Sequence, residues 1–210
     1  MIMKDTRGRF FALEGIDGSG KSTQLKLLAQ RLEQAGHPCL TTCEPTGRPM
    51  GKLLRQVLTG QVRCDNRVVA PLFVADRLDH LLNEENGLCQ AVERGLTVLS
   101  DRYYFSSYAY QSVDLPLEWV IEANRPCAQL LRPTATLFID VEPELALERI
   151  AQNREGTELF ETMERLTRTR EQYFRAFEAL KEEERVILLP GNQSVEAIAQ
   201  AIWEQVETFF

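Results

Sequence analysis

Short apolar runs alternate along the chain with longer stretches in which apolar residues recur at helical spacing. The runs from Arg9 to Glu14, Pro38 to Thr42, Leu96 to Ser100, Thr134 to Asp140 and Arg185 to Leu189 are rich in apolar or β-branched side chains. Runs of this kind predict short strands of a mostly parallel sheet. Between them, Leu25, Leu28, Ala29 and Leu32 keep helical spacing after Thr23, and Gly36 with Pro38 supplies the stop. A second stripe, Val74, Ala75, Leu78, Leu81 and Leu82, follows Pro71 in a first turn and predicts one long helix running to about Arg94. The tail places Val195, Ile198, Ile202, Val206 and Phe209 on one face behind Ser194 as N-cap. This alternation predicts an α/β fold, a doubly wound five-stranded parallel sheet. No linker or repeat interrupts it, so residues 1–210 are expected to form one domain.

Composition narrows the class. At 210 residues, 44% hydrophobic and 26% charged, the chain suits a globular fold with an adequate core. A formal charge of -7 argues against coating nucleic acid or an anionic membrane, while leaving room for a basic pocket and a small anionic ligand. The five cysteines are irregularly spaced without a CxxC pair, so they are expected to be reduced thiols rather than a disulfide framework or zinc site. The opening residues lack the apolar centre of a signal peptide, and no run approaches membrane-spanning length, which together predict a cytoplasmic protein.

Gly15-Ile16-Asp17-Gly18-Ser19-Gly20-Lys21-Ser22, followed by Thr23, satisfies GxxxxGK[ST] between an expected strand and an expected helix. Its glycines let successive amides turn toward phosphate oxygens. Lys21 adds charge, Ser22 a magnesium-ligating hydroxyl, and the helix start a favourable dipole. The loop alone leaves open whether the nucleotide is a switch signal, a source of work or a phosphoryl donor. Asp17 would repel phosphate unless it turned away, toward magnesium or a hydroxyl-bearing acceptor; Asp-Gly turn chemistry is the competing account.

Directly after an expected strand, DRYYFSSYAYQ places Asp101 and Arg102 at the carboxyl edge of the sheet, where doubly wound folds bind ligands. Asp101 could hold magnesium or its water shell, and Arg102 could bridge two phosphates. If the segment is helical, Ser107 and Gln111 lie four apart with Tyr110 beside them, a face able to read a base. The alternative makes the pair a structural ion pair and the tyrosines core. Phe73 and Arg77 are likewise four apart, suited to stacking a base and donating to a carbonyl; Phe73 alone also reads as core.

The chain resembles the thymidylate kinase family in FALEGIDGSGKST at 11–23, EPTGRPMGKLLR at 44–55, LFVADRLDH at 72–80 and DRYYFSSYAYQ at 101–111. The resemblance spans nearly the whole chain and implies a P-loop nucleoside monophosphate kinase that phosphorylates dTMP to dTDP with ATP and Mg2+, as a homodimer. It implies that Phe73 stacks on thymine, Arg77 faces its O4, and Ser107 with Gln111 contact the base edge. Tyr110 would crowd a ribose 2′-hydroxyl, and Asp17 would sit near the 3′-hydroxyl. Arg55 and Arg102 would take the acceptor phosphate, with Glu14 supporting the loop and Asp101 the magnesium. Arginine carries only donors, so cytosine should be rejected, whereas the single methyl separating dUMP from dTMP permits some dUMP activity. The family often has an arginine before its Glu-Pro pair; here that position is Cys43, with Arg48 as the candidate replacement.

The resemblance further implies a short lid at about 149–161, whose Arg149 and Arg154 would reach the ATP phosphates. Many such lids carry another arginine shortly before the position of Glu161, where this chain has Leu159 and Phe160. The competing reading leaves Arg149 and Arg154 as solvated charges on a helix end. Lys21, Arg102, Asp17 and Arg154 are thus the expected catalytic groups. Two alternatives stay open, a deoxynucleoside kinase using Asp17 or Asp101 as base and a P-loop ATPase switch.

Overall fold

The computed structural model describes residues 7–153 and 162–210. Five parallel strands are arranged in the order β2-β3-β1-β4-β5. They are β1 (Phe10–Glu14), β2 (Cys39–Cys43), β3 (Thr97–Asp101), β4 (Ala135–Asp140) and β5 (Val186–Pro190). Each lies within one residue of the run that predicts it; for β1, β3 and β4 the reason is that a run buried on both faces leaves little freedom in its limits. The central strands β1, β3 and β4 are buried almost throughout, and the edge strands β2 and β5 are half-exposed.

The chain returns to place β3 between β1 and β2, then crosses to build β4 and β5 on the other side of β1. The carboxyl end of β1 therefore faces the crevice that opens where the winding reverses. In register, Leu13 of β1 pairs with Asp101 of β3, and the Arg102 amide extends the ladder to the Leu13 carbonyl at 2.9 Å.

Helix α1 (Lys21–Gln34) begins directly at the phosphate loop, and α9 (Val195–Val206) packs against it. The Ser194 side chain caps α9 by accepting from the Ala197 amide at 3.2 Å, as its sequence predicts. Helix α5 (Tyr104–Tyr110) follows β3 and continues into a 3-10 turn, Gln111–Val113. It packs on α8 (Met163–Ala179) through aromatic edges, with Phe105 and Phe177 centroids 5.1 Å apart.

The long helix expected from Pro71 to about Arg94 is instead two helices. The first, α3 (Asn66–Leu82), starts earlier because Asp65 caps it, accepting from the Arg67 amide at 2.9 Å. Pro71 stands inside it, on its exposed side. Asn83 ends it by accepting the Glu85 amide at 3.0 Å, and α4 (Leu88–Glu93) begins after Gly87.

Helices α2 (Pro49–Leu58) and α6 (Leu117–Leu130) pack against α3, and α7 (Pro143–Asn153) follows β4. Leu54 and Val57 of α2 bury against Val69 of α3 in a small apolar cluster of their own, with Leu72 and Phe73 packed against it. This fixes α2 to the helix that carries Phe73 and Arg77. No helix among the described residues is long and apolar enough to cross a membrane.

Candidate active site

The phosphate loop turns out of β1 through glycines that no side chain could replace. Gly20, at φ 90°, leads directly into α1, a left-handed conformation that glycine adopts without a Cβ penalty. At Gly18, φ is 78° and an added Cβ would stand 2.3 Å from the Ala146 carbonyl oxygen of α7. The buried Lys21 ammonium donates back to the Ile16 carbonyl at 2.9 Å and the Ser19 hydroxyl at 3.3 Å. Burial, reinforced by the charge of Arg102, pulls its pKa down to about 8, against the opposing pull of Asp101, Asp17 and Glu14. Ser22 Oγ donates to Asp101 Oδ2 at 2.5 Å, joining the loop to the end of β3.

Beside the loop lies a cavity of about 540 Å³ reaching from Lys21 and Ser22 past Arg149 to Val195 and Ile198 at the start of α9. Arg149 donates to the Gly191 carbonyl at 3.0 Å and forms part of its wall. Arg55, exposed on α2, lines the near end and donates to the Pro45 and Thr46 carbonyls.

A second, smaller cavity of about 110 Å³ lies between α3 and α5, walled by Phe73, Leu58, Ser107, Tyr110 and Gln111. Asp17 and Arg102 line both cavities. Arg102 is the one non-glycine residue with positive φ among the described residues, at 74°. Such a conformation costs roughly 1–3 kcal/mol and persists where surroundings over-determine it. Here its amide is held by Leu13, its carbonyl accepts from Ser100 Oγ at 2.7 Å, and its guanidinium donates to Gly15 O, Ser106 Oγ, Tyr110 Oη and Asp17. Tyr110 Oη also donates to Asp17 Oδ2 at 2.9 Å. Burial works to raise the Asp17 pKa, but Arg102, Lys21 and Tyr110 outweigh it and hold the carboxylate below its usual range.

Arg77 does not line the acceptor cavity. It is 1% exposed, with Nε donating to Glu44 Oε2 at 2.7 Å and the fork going to Ser107 Oγ, Asn124 and the Tyr103 carbonyl. Its link to that cavity is its hydrogen bond at 3.1 Å to Ser107, which is on the cavity wall. Gln111, 6% exposed on the same wall, has an Oε1 with no hydrogen-bond partner among the described residues. Arg48, the candidate replacement for an arginine at Cys43, pairs with Asp79 at 3.3 Å and with Asn86 and lines neither cavity, while Cys43 lines the larger one. Arg154 and the rest of the expected lid to 161 lie outside the described residues, and only Arg149 of the lid cations is placed.

Beneath the loop, fully buried Glu14 gathers the Tyr103 and Ser106 amides on Oε1, at 2.8 and 3.1 Å, and the Ser106 and Tyr173 hydroxyls on Oε2, at 2.6 and 2.8 Å. Desolvation raises its pKa although each of these donors, and the charge of Arg102, acts to lower it. Tyr173 in this network and Asn124 beside Arg77 carry no sequence signal, because each meets its partner only through the fold; Asp76 and Thr46 lie within the quoted motifs, yet their pairing is likewise made only by the fold.

A model of the thymidylate kinase family matches residues 13–202. Among curated proteins, the chain is 35% identical over 208 residues to a probable thymidylate kinase of Thermococcus kodakarensis, covering 95% of this chain and 97% of that one. It is 38% identical over 175 residues to a thymidylate kinase of Leptospira borgpetersenii, covering 82% and 83%. It is also 36% identical over 211 residues to a probable thymidylate kinase of Methanosarcina acetivorans, covering 97% of each.

Proposed function

Since this chain belongs to the thymidylate kinase family, we propose that its two cavities hold ATP and dTMP end to end. The reaction is transfer of the γ-phosphoryl group of ATP to dTMP, giving dTDP and ADP. The observation that carries the residue-level reading is that Asp17 and Arg102 belong to the walls of both cavities. Two polyanions entering from opposite sides meet at that pair.

ATP lies in the larger cavity, its phosphates on the loop amides from Gly15 to Thr23 and on Lys21, with Arg149 and Arg154 closing from a lid at about 149–161. The thymine ring enters the smaller cavity against Phe73. Gln111 Oε1, buried without a partner, accepts the thymine N3–H, and Ser107, oriented by Arg77, serves the O4 side. Tyr110 faces the sugar where a 2′-hydroxyl would crowd it, Asp17 takes the 3′-hydroxyl, and Arg55 with Arg102 takes the phosphate. The accepting phosphate is already anionic, so no base is needed; alignment, charge neutralisation and exclusion of water supply the catalysis.

Ser22 Oγ and Asp101 present hard oxygen donors to the nucleotide cavity, a set that suits Mg2+. Those two residues would hold it, and the ion would supply positive charge against the ATP phosphates. Five free thiols support a reducing, cytoplasmic setting. A stripe on α3, with Val68 50% and Leu82 54% exposed, supports a homodimer.

A coupled ADP-release assay across dTMP, dUMP, dCMP, dGMP and thymidine tests the reading. Turnover should be greatest with dTMP, lower with dUMP and negligible with the others. Equal turnover of dCMP, or preference for thymidine, would overturn it.

A further inference from the structure

The carboxylate of Asp76 is 1% exposed on α3 and touches neither cavity, yet both of its oxygens are committed to one residue of the loop before α2. Oδ2 accepts the Thr46 amide at 2.8 Å, and Oδ1 accepts the Thr46 hydroxyl at 2.5 Å. Thr46 Oγ1 in turn accepts the Arg48 amide at 3.2 Å, immediately before α2 begins at Pro49. Backbone approach clamps the same point from the far side, since an added Cβ on Gly51 would stand 2.0 Å from the Thr46 carbonyl oxygen. That carbonyl, with its neighbour on Pro45, is where the Arg55 guanidinium rests. A buried carboxylate whose donors are fixed in this way orders the backbone that holds them.

We infer that Asp76 is a positioning residue for the acceptor phosphate, acting through Thr46 on Arg55. This rests on the assignment of Arg55 to the phosphate of dTMP. The two carbonyls hold both terminal nitrogens of Arg55 at the near end of the larger cavity, whose wall Asp17 and Arg102 share with the smaller one, so the guanidinium has little rotamer entropy left to lose on binding. Helix α3 then serves both ends of the nucleotide within four residues: Phe73 meets the base, and Asp76 fixes the arm that meets the phosphate. Base recognition and phosphate capture share one rigid element, so their spacing is set before the substrate arrives.

Calorimetric titration of dTMP and of thymidine into the wild type, R55A, D76A, D76N and the R55A/D76A double variant separates the possibilities. Asp76→Ala should weaken dTMP about tenfold and thymidine less than about twofold. In the R55A background it should cost dTMP nothing further, because the two residues act on one contact. Asp76→Asn should restore most of the affinity, since its carbonyl can accept the Thr46 amide while its NH₂ donates to the Thr46 hydroxyl. If D76A is too unstable to purify, Thr46→Val carries the same comparison, removing the hydroxyl bonds to Asp76 and the Arg48 amide while keeping the backbone bond to Asp76. Equal losses for dTMP and thymidine, or full additivity with R55A, would overturn the inference and leave Asp76 a merely structural carboxylate. Should R55A itself fail to distinguish dTMP from thymidine, the phosphate assignment of Arg55 falls first.

Discussion

Arg102 reaches from the end of β3 back to the phosphate loop and donates to the carboxylate of Asp17, with the Tyr110 hydroxyl 3.1 Å from Arg102 Nη2 and 2.9 Å from Asp17 Oδ2. The two charges hold each other while the site is free of substrate, and an incoming phosphate must take over the guanidinium. A group placed to bind both transferring and accepting phosphates contributes mainly to the transition state. Arg102→Ala should therefore lower kcat about 10²- to 10³-fold while changing the ATP dissociation constant by less than about threefold. Steady-state kinetics with equilibrium ATP binding checks this; equal losses in both would remove Arg102 from the transfer step.

The Lys21 ammonium, with a pKa lowered to about 8 from 10.5, should make ATP binding proton-linked. Between those values the free protein has largely shed the proton, and the polyphosphate draws it back by favouring the charged form. Calorimetry at about pH 9 in buffers of different ionisation enthalpy should reveal proton uptake approaching one per ATP. Uptake from this group should vanish well below pH 8, and Lys21→Arg should abolish it at both ends.

Glu14 should titrate in the opposite sense with respect to stability. Its folded-state pKa is raised above the ordinary 4.5 chiefly by burial, so the folded chain holds more protons than the unfolded one as pH passes through that window. The anion is thus a burden at neutral pH that is relieved as pH falls. Urea unfolding of the wild type and of Glu14→Gln should show the wild type gaining on the variant as pH is lowered from neutrality toward the ordinary carboxylate value of 4.5; a gap that stays constant would contradict the upward shift.

Phe73 and Arg77 should separate cleanly on substitution. Phe73→Ala removes one face of the proposed base site, and stacking of this kind contributes about 1–3 kcal/mol, so the KM for dTMP should rise about ten- to hundredfold with little change in Tm. Arg77→Ala removes the guanidinium from buried Glu44 and leaves it only the His80 ring at 3.1 Å; breaking a buried pair in this way is typically destabilising by about 3–5 kcal/mol, and thermal melting should register that loss before any kinetic effect is interpretable.

The sheet is readable in the chain because its central strands are buried on both faces and must be continuously apolar. The phosphate loop is readable because its chemistry is contiguous. Helix α3 is misread at both ends, since Pro71 resembles a start signal and the true cap is the side chain of Asp65, six residues earlier. The surroundings of Arg77 are hidden for a different reason: Glu44, Asn124 and Ser107 come from three distant segments, and nothing in their local sequence marks the bond. Glu14 and Tyr173 stand 159 positions apart yet share a proton donor and acceptor.

The contact between Gly18 and the Ala146 backbone restricts how this loop could change. Position 18 admits not even a methyl group unless α7 slides outward, while Ile16 and Ser19 are each 1% exposed. Among positions 16 to 19, only Asp17 lines both cavities. Mutational drift or laboratory redesign of the turn therefore has one productive address, and any added cation must be recruited from another part of the chain.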